Sequence, residues 1–437
     1  MTPQELQRQF YEMLLESQFW SPGQLADYQR SQIEQLLRHA RRNAPFYETR
    51  LDPVFRADGS IDWDRWHELP IVRRADMVAH REAMLARELP PGHGATSVIG
   101  TSGSTGLPIE ITVNSLTRIA NNGFRWRLHG WQGLDWSRVL MSRLGDGDHM
   151  QRWPKGETAG VWGPPWDDSA RHGHLFRISR LFDTPAMLRF FTESGASYLN
   201  AGPNMAHINA IDARRLGLSV AIDAVLAQGN VVREADRAAV REVFGAKLIE
   251  HYSSKEGGQM AHPCPEGTLH VNAEGCLVEI LDEAGRPCAA GETGRVVVTP
   301  FFQTAQPLIR YEQGDWATVG DACRCGRHSP AIKAVRGRSI AIFQHPDGRS
   351  VANLMPDETA GLLGSSFWQL AQVGPNAYEM RYIPADDAVL GDEDRVRQLF
   401  ADTFFADAEL QFTRTHDIRL SQSGKLADYV NEWRPVN

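Results

Sequence analysis

Four short stretches hold the residues best suited to chemistry. Gly100-Thr101-Ser102-Gly103-Ser104-Thr105-Gly106-Leu107-Pro108 begins with three glycines, two serines and two threonines in seven consecutive positions. Glycine lets the backbone approach a ligand closely, successive N–H groups form an anion nest, and hydroxyls add donors. Such a loop suits a polyphosphate. It is not a Walker A loop, because no Gly-Lys-Ser/Thr follows at the required spacing, and on its own it reads as an ordinary mobile turn. Three companions give it more meaning. Tyr252-Ser253-Ser254-Lys255-Glu256-Gly257-Gly258 follows a strand-like run and supplies an acid, and Arg310-Tyr311-Glu312-Gln313-Gly314-Asp315 supplies another. Ser423-Gly424-Lys425 holds an isolated lysine in a small-residue turn. All three fit a nucleotide. Taken singly they are blander: Asp315 a turn residue, Glu256 a capping or surface-paired acid, Lys425 a solvated cation.

The cysteines form a second constellation. Five thiols, an odd number in a long chain, do not look like a disulfide framework. Cys264 and His270 lie six residues apart, and Cys323 and Cys325 add two thiols further on. Cys₃His is an accepted tetrahedral zinc set with every position filled, so a metal there is expected to stitch the surrounding segment, about 260–330, rather than catalyse. His262 competes for the imidazole place, and four free cytosolic side chains are the bland alternative. Cys276 and Cys288 read as ordinary buried thiols.

Ordered elements must position these residues. Ser97-Val98-Ile99 and the alternating Ile109, Ile111 and Val113 predict strands on either side of the Ser/Thr/Gly loop. Residues 24–42 predict an amphipathic helix with Ile33, Leu36, Leu37 and Ala40 on one face. Asn114-Ser115 is a plausible N-cap for a helix carrying Ile119, Phe124, Trp126 and Trp131. Arg138–Leu144 reads as a strand, and 145–168 is too irregular to assign. From Thr184 helices alternate with strands at Ala196–Leu199, Val220–Leu226 and Lys247–Tyr252, which predicts βαβ units and a parallel sheet. Ligands of such sheets bind beyond the strands' carboxyl ends, which singles out Asn200-Ala201-Gly202-Pro203, Gln228-Gly229-Asn230 and His251 to Gly258. Short alternating strands from Leu269 to Val298 predict antiparallel β structure. The last hundred residues or so predict a small α+β unit, with strands at Phe367–Val373 and Tyr378–Ile383 and a helix over Asp392–Phe405.

Composition sets bounds. At 437 residues the chain exceeds one comfortable core, so a large domain with a smaller one is expected. A net charge of -8 argues against nucleic acid as the main partner. No run is apolar and long enough to span a bilayer and no leader pattern opens the chain, so no membrane partner and a cytoplasmic location are expected.

The order of phosphate loop, Tyr…Glu, Gly-Asp and late Gly-Lys resembles the ANL superfamily of adenylate-forming enzymes. Within it the chain resembles the phenylacetate–CoA ligase group and its coenzyme F390 synthetase and capsule-biosynthesis (CapK-like) relatives. The resemblance runs from about residue 25 to the end and is most specific at GTSGSTGLP, PLIRYEQGD and CRCGR. It implies an α/β fold: a large N-terminal ANL-type domain over 1–337, with mostly parallel sheets and a small β region, then a small mobile C-terminal α+β domain over 338–437 carrying the catalytic lysine. It implies activation of a small carboxylic acid, aryl or heteroaryl by its pocket residues, to an acyl-adenylate with ATP and Mg²⁺. Transfer to coenzyme A follows in the family. Passage to an amine or another acceptor, or a nucleotide-binding module without turnover, are the alternatives.

The same resemblance implies roles. Thr101, Ser102, Gly103, Ser104, Thr105 and Gly106 would hold the β- and γ-phosphates, Tyr252 would lie against adenine, and Gly229 and Asn230 would form the adenine-side loop. Glu256 would bind Mg²⁺, Asp315 would accept from both ribose hydroxyls, and Lys425 would bridge the carboxylate and the α-phosphate. Phe124, Trp126, His129, Trp131, Tyr198, Asn200 and Gly202 fall where the acyl pocket lies. Cys264, His270, Cys323 and Cys325 match the structural zinc set, and homodimers are common in the family. Two departures stand out. Lys255 replaces the usual Ser or Thr before the Mg²⁺ glutamate, and Ile340-Ala341 replaces two acids at the hinge motif beginning Gly337-Arg338-Ser339.

Overall fold

The computed structural model describes residues 2–100, 109–145, 157–169, 173–179, 182–337, 343–351, 355, 356, 358–384, 390–415 and 428–433. Two helices open the chain, Pro3–Ser17 and Pro22–Asn43. Each starts on a hydroxyl residue that accepts from the backbone N–H three positions on, Thr2 from Glu5 and Ser21 from Gln24. Proline follows, where no helical donor is lost. The second helix buries Leu25, Ile33, Leu36, Leu37 and Ala40, the face expected from the spacing, within the largest core cluster.

The strands Thr96–Gly100 and Glu110–Asn114 pair antiparallel, from Thr96 opposite Asn114 to Gly100 opposite Glu110. They carry residues 101–108 between them. Those residues, including Thr101 to Gly106, lie outside the described ones. Asn114 then caps the helix Ser115–Trp131, its Oδ1 accepting from Thr117 N at 2.8 Å. That helix is pinned from below by Arg127, whose Nη1 donates to Glu274 Oε1 at 2.6 Å with both side chains 2% exposed. Ser17 Oγ and Asn272 Oδ1 complete the network. The network thus ties the first helix and the helix Ser115–Trp131 to the segment between the strands Leu269–Val271 and Cys276–Leu281.

Six strands form the sheet that the alternating pattern predicts. Their order is Glu157–Val161, His174–Ser179, Val139–Gly145, Ala196–Ala201, Ala224–Ala227, Lys247–Glu250, with every neighbouring pair parallel except the first. Alternate side chains go to opposite faces. Met141, Leu199 and Val225 pack with Met187, Phe191, Ala206 and Val240 on one side, whereas Leu140, Tyr198, Leu226 and Ile249 pack with Leu128 and Trp162 on the other. The two strands in order before Val139–Gly145 were not legible, one within the irregular stretch and one after it. The expected strand at Val220 starts only at Ala224, because Ile222 N is held by Phe244 O as a loop.

The single strand expected over Lys247–Tyr252 breaks at His251. Lys247–Glu250 ends the parallel sheet, and Tyr252–Ser254 begins a second, antiparallel one. That second sheet has seven strands, ordered Cys276–Leu281, Thr293–Pro300, Tyr311–Val319, Ala331–Gly337, Leu269–Val271, Gly258–Pro263, Tyr252–Ser254. The β region is thus larger than the small appendage expected, because non-local pairing recruits runs too short to read singly. The α/β reading itself stands.

Near the C-terminus a four-stranded sheet, Glu409–Arg414, Ala377–Pro384, Ser365–Gln372 and Tyr429–Asn431, is covered by the helix Glu393–Thr403. Its Phe367 packs on Ile208 and Ile211 of the helix Pro203–Arg215, and Arg233 Nη2 meets Asp428 Oδ1 at 3.1 Å. Residues 338–341 and Lys425 lie outside the described ones. Among those described, no helix is long and apolar enough to cross a membrane.

Candidate active site

The carboxyl ends of three parallel strands lie side by side. Gln228 N donates to Ala201 O and His251 N to Ala227 O, which staples the strand ends together. Gly229 takes φ +96°, a conformation that glycine adopts freely and other residues rarely. The turn Gln228-Gly229-Asn230 therefore folds back over the sheet, and Gln228 Oε1 lies 2.9 Å from His251 Nε2. Asn200 and Gly202 stand at the end of the neighbouring strand, where Gly202 caps the helix Pro203–Arg215.

Because the chain changes sheets at His251, the residues from Tyr252 onward belong to the antiparallel sheet while Lys247–Glu250 belong to the parallel one. Tyr252 Oη donates to Asp315 Oδ2 at 2.7 Å, both groups being buried. Of the two acids singled out in sequence, Asp315 stands on the strand Tyr311–Val319 and Glu256 in the turn that follows Tyr252–Ser254, both in the antiparallel sheet. Glu256 is 2% exposed, and its Oε1 lies 3.8 Å from Arg74 Nη1. Lys255 donates from Nζ to the carbonyl of Gly100, the last described residue before 101–108. Gly258 has φ +70°, and a Cβ there would sit 2.7 Å from Asn121 Oδ1. Only glycine allows this segment to lie so close to the helix after the loop.

His129, Trp162 and Tyr198 form a polar, aromatic cluster. The His129 ring is 5.0 Å from Trp162, and Trp162 is 5.6 Å from Tyr198, each pair edge to face. His129 Nδ1 accepts from Trp136 Nε1, so the hydrogen of the neutral ring sits on Nε2. Burial and then the nearby Arg125 charge hold His129 well below the usual histidine range, and the same causes bring His251 down to about 3. Both rings are neutral at physiological pH. Of the residues expected at the acyl pocket, His129 and Tyr198 both meet Trp162, and Asn200 and Gly202 lie at the end of the strand Ala196–Ala201. Phe124, Trp126 and Trp131 pack elsewhere. Phe124 meets Phe10 edge to face at 5.5 Å in a cluster with Leu14. Trp126 packs on Tyr11 and Trp166, and Trp131 lies under Arg127 and Arg327. At helical spacing these three face the first helix or the β region, so they serve the core.

The cysteine constellation converges. One ligand atom each from Cys264, His270, Cys323 and Cys325 falls within 4.8 Å of the others. Cys264 Sγ lies 3.7 Å from Cys323 Sγ, and Cys325 Sγ 3.3 Å from His270 Nε2. His270 Nδ1 faces the Ser329 carbonyl at 3.2 Å, which fixes the tautomer and turns the Nε2 lone pair toward the thiols. His262, the competing imidazole, points elsewhere, its Nε2 2.9 Å from Gln259 Oε1. Three soft thiols and one imidazole at this spacing suit a tetrahedral divalent metal. Cys276 is buried, and burial pushes its thiol up, whereas Cys288 is only half-buried.

Two residues escaped the sequence reading. Arg310, inside the PLIRYEQGD run, has φ +53° and a buried side chain. It donates to the carbonyls of His67 and Leu69 and pairs with Glu279 at 3.1 Å. It fastens the N-terminal segment beneath the strand that carries Asp315. Arg74, from the helix Arg74–Ala79, supplies the cation nearest Glu256 among the described residues. Nothing local in either stretch signals these long-range partners.

No protein-family model matches the chain. A phenylacetate-coenzyme A ligase of Thermus thermophilus is 28% identical over 150 residues, 32% of this chain and 34% of that protein. The chain thus matches about a third of the length of this curated relative. Among solved structures, a 2-hydroxyisobutyryl-CoA ligase in the postadenylation state in complex with 2-HIB-AMP superposes with a TM-score of 0.70 at 16% identity, over 92% of this chain and 88% of that one. The same ligase with 2-HIB-AMP and CoA in the thioesterification state gives 0.61 at 16% identity, over 95% and 91%. At such identities the likeness is one of fold, and the chain shares the fold of this acid–CoA ligase.

Proposed function

We propose that the protein activates a carboxylic acid with ATP and Mg²⁺ to an acyl-adenylate and then transfers the acyl group to coenzyme A. The observation that carries this reading is the Tyr252–Asp315 hydrogen bond beside the buried Glu256, at the mouth of the parallel sheet. A carboxylate oriented by a phenol is suited to the two ribose hydroxyls, and Tyr252 offers a ring face to adenine. Glu256 is a hard oxygen donor and fits Mg²⁺, which when bound supplies charge neutralisation on the phosphates. Arg74 and Lys255 add positive charge on the phosphate side. Thr101 to Gly106 would cradle the β- and γ-phosphates, and Lys425 would offset charge where the acid attacks the α-phosphate. The acid's carboxylate attacks phosphorus, the bond to the bridging oxygen breaks, and pyrophosphate leaves. The thiolate then attacks the acyl carbon and AMP leaves.

The finer features belong to the same reading: the domain division at 337/338, a structural zinc in the Cys₃His set and a cytoplasmic setting. Transfer to an amine or another acceptor is the second reading, favoured by Ile340 and Ala341 in place of the hinge acids. Acid-dependent exchange of labelled pyrophosphate into ATP is the test. Exchange that needs the acid and falls at least about 100-fold in Lys425→Ala supports adenylation; its absence with every acid leaves a nucleotide-binding module. Thioester formation with CoA, assayed next, separates the two acceptors.

A further inference from the structure

The C-terminal sheet uses its two faces differently. Trp368, Leu370, Met380 and Tyr382 turn into the core shared with Val396, Leu399 and Phe400 of the helix Glu393–Thr403. Phe367 and Ile383, opposite each other on neighbouring strands, turn the other way. Phe367 is nonetheless 1% exposed, because Ile208 and Ile211 of the helix Pro203–Arg215 cover it.

Arg233 closes this seat. Its guanidinium lies 4.9 Å from the centre of the Phe367 ring, and the His207 ring lies 4.7 Å from the same centre. Arg233 Nη2 continues to Asp428 Oδ1 at 3.1 Å, the two side chains being 24% and 26% exposed. A pair so shielded is screened less by salt than one on the open surface. Arg233 is fixed in turn at its backbone. Its N–H donates to Asp236 Oδ2 at 2.8 Å, and Asp236 Oδ1 lies 2.7 Å from His207 Nδ1, with both of those side chains buried. That pair joins the helix Pro203–Arg215 to the start of the helix Glu234–Phe244, and both segments present a residue to Phe367.

Position in the chain gives these contacts their meaning. Arg233 comes three residues after the turn Gln228-Gly229-Asn230, and Asp428 comes three residues after Lys425. The ion pair therefore joins the stretch read as the adenine side to the stretch read as carrying the catalytic cation, which itself lies outside the described residues. We propose that Arg233 is a positioning residue for adenylation: through Phe367 and Asp428 it seats the C-terminal sheet in the arrangement in which the acid attacks the α-phosphate. The inference rests on the adenylating reading, and the experiment separates the two. Misplacing a reacting group by about 1 Å costs on the order of 100-fold in rate, so a loosened seat is felt in turnover. Among the described residues the Arg233 side chain meets Phe367 and Asp428 and not Tyr252, Glu256 or Asp315, so nucleotide affinity is spared. Attack of the thiolate on the acyl carbon is a separate step that does not need the lysine at phosphorus.

Two half-reactions are measured on the full chain. Acid-dependent pyrophosphate exchange reads adenylation, with benzoate, phenylacetate, picolinate and butyrate as the acids tried. Thioester formation from CoA and the chemically prepared adenylate of the best acid reads the second step. Arg233→Gln and Asp428→Asn are each expected to lower kcat of exchange about 10- to 100-fold, with KM for ATP and the second step changed less than about 2-fold. The double variant should lose no more than either single one, and Arg233→Lys should recover part of the loss. Phe367→Ala, which empties the seat, should show the same split. Equal losses in both half-reactions, a loss in KM for ATP, or unchanged exchange in Arg233→Gln overturns the assignment and leaves adenylation standing. No exchange by the wild type with any acid removes both. If no thioester forms, the split between kcat and KM for ATP decides; if Arg233→Gln does not fold, Asp428→Asn at the other end of the pair decides.

Discussion

Tyr252→Phe isolates the contact on which the nucleotide site is built. The substitution keeps the ring that would lie against adenine and removes only the hydroxyl that donates to Asp315 Oδ2 at 2.7 Å. Asp315 is 7% exposed, so water replaces the lost donor poorly. A hydrogen bond to a charged group contributes about 1.5–3 kcal/mol net. If that energy serves to hold the carboxylate toward the ribose, its loss raises KM for ATP about 10- to 100-fold. Exchange kinetics measure this directly, with ATP varied at saturating acid. KM for the acid is expected to change little, because the phenol is on the nucleotide side. A double-mutant cycle with Asp315→Asn refines the point: the two losses should be clearly less than additive, because each removes the same contact. An unchanged KM for ATP in both single variants, in enzyme that still turns over, would refute the placement of the ribose at Asp315.

Three further outcomes follow from the same structure. Burial, reinforced by Arg125, holds His251 at about 3 against 6.5 when free, so the unfolded chain binds the proton first as pH falls. The stability gained by keeping that ring neutral is complete above about pH 6.5 and drains away toward pH 3; between pH 7 and 5 the loss is about 2 kcal/mol. Urea melts at the two pH values should show His251→Gln less pH-sensitive than wild type by that amount, and equal slopes would contradict it. Removing one half of the buried Arg127–Glu274 pair strands the other charge, so Arg127→Met should cost about 3–5 kcal/mol in denaturant melts, with Arg127→Met/Glu274→Leu recovering much of it. Metal analysis of protein made with zinc should find about one zinc per chain, lost in Cys323→Ser and kept in Cys288→Ser, with chelation lowering Tm.

Local signals carried much of the fold. Asn114, Asp183 and Asp392 each cap a helix where a short polar side chain precedes an apolar period, and the βαβ rhythm from Thr184 gave the parallel sheet. Pairing between distant segments was not legible. Leu269–Val271 is three residues long and becomes a strand only because Ala331–Gly337 and Gly258–Pro263 flank it. The change of sheet at His251 is invisible in Lys247–Tyr252, which holds no glycine or proline to mark a break, yet it is what sends Tyr252 toward Asp315. The site divides the same way. Glycines, acids and thiols in short motifs suggested the nucleotide and metal groups, whereas Arg74 and Arg310 acquire meaning only from groups far away in sequence. Aromatic residues misled in the opposite direction: Phe124 and Trp126 share a helix with His129 but face the first helix of the chain.

The central claim is that the acid's own oxygen attacks the α-phosphate of ATP. An acid labelled with ¹⁸O in both carboxylate oxygens, turned over once with ATP, Mg²⁺ and CoA, tests this by mass spectrometry of the products. Formation and cleavage of an acyl-adenylate must leave one ¹⁸O in AMP and release unlabelled pyrophosphate. Label in inorganic phosphate with ADP as co-product, or AMP without label, would contradict the account.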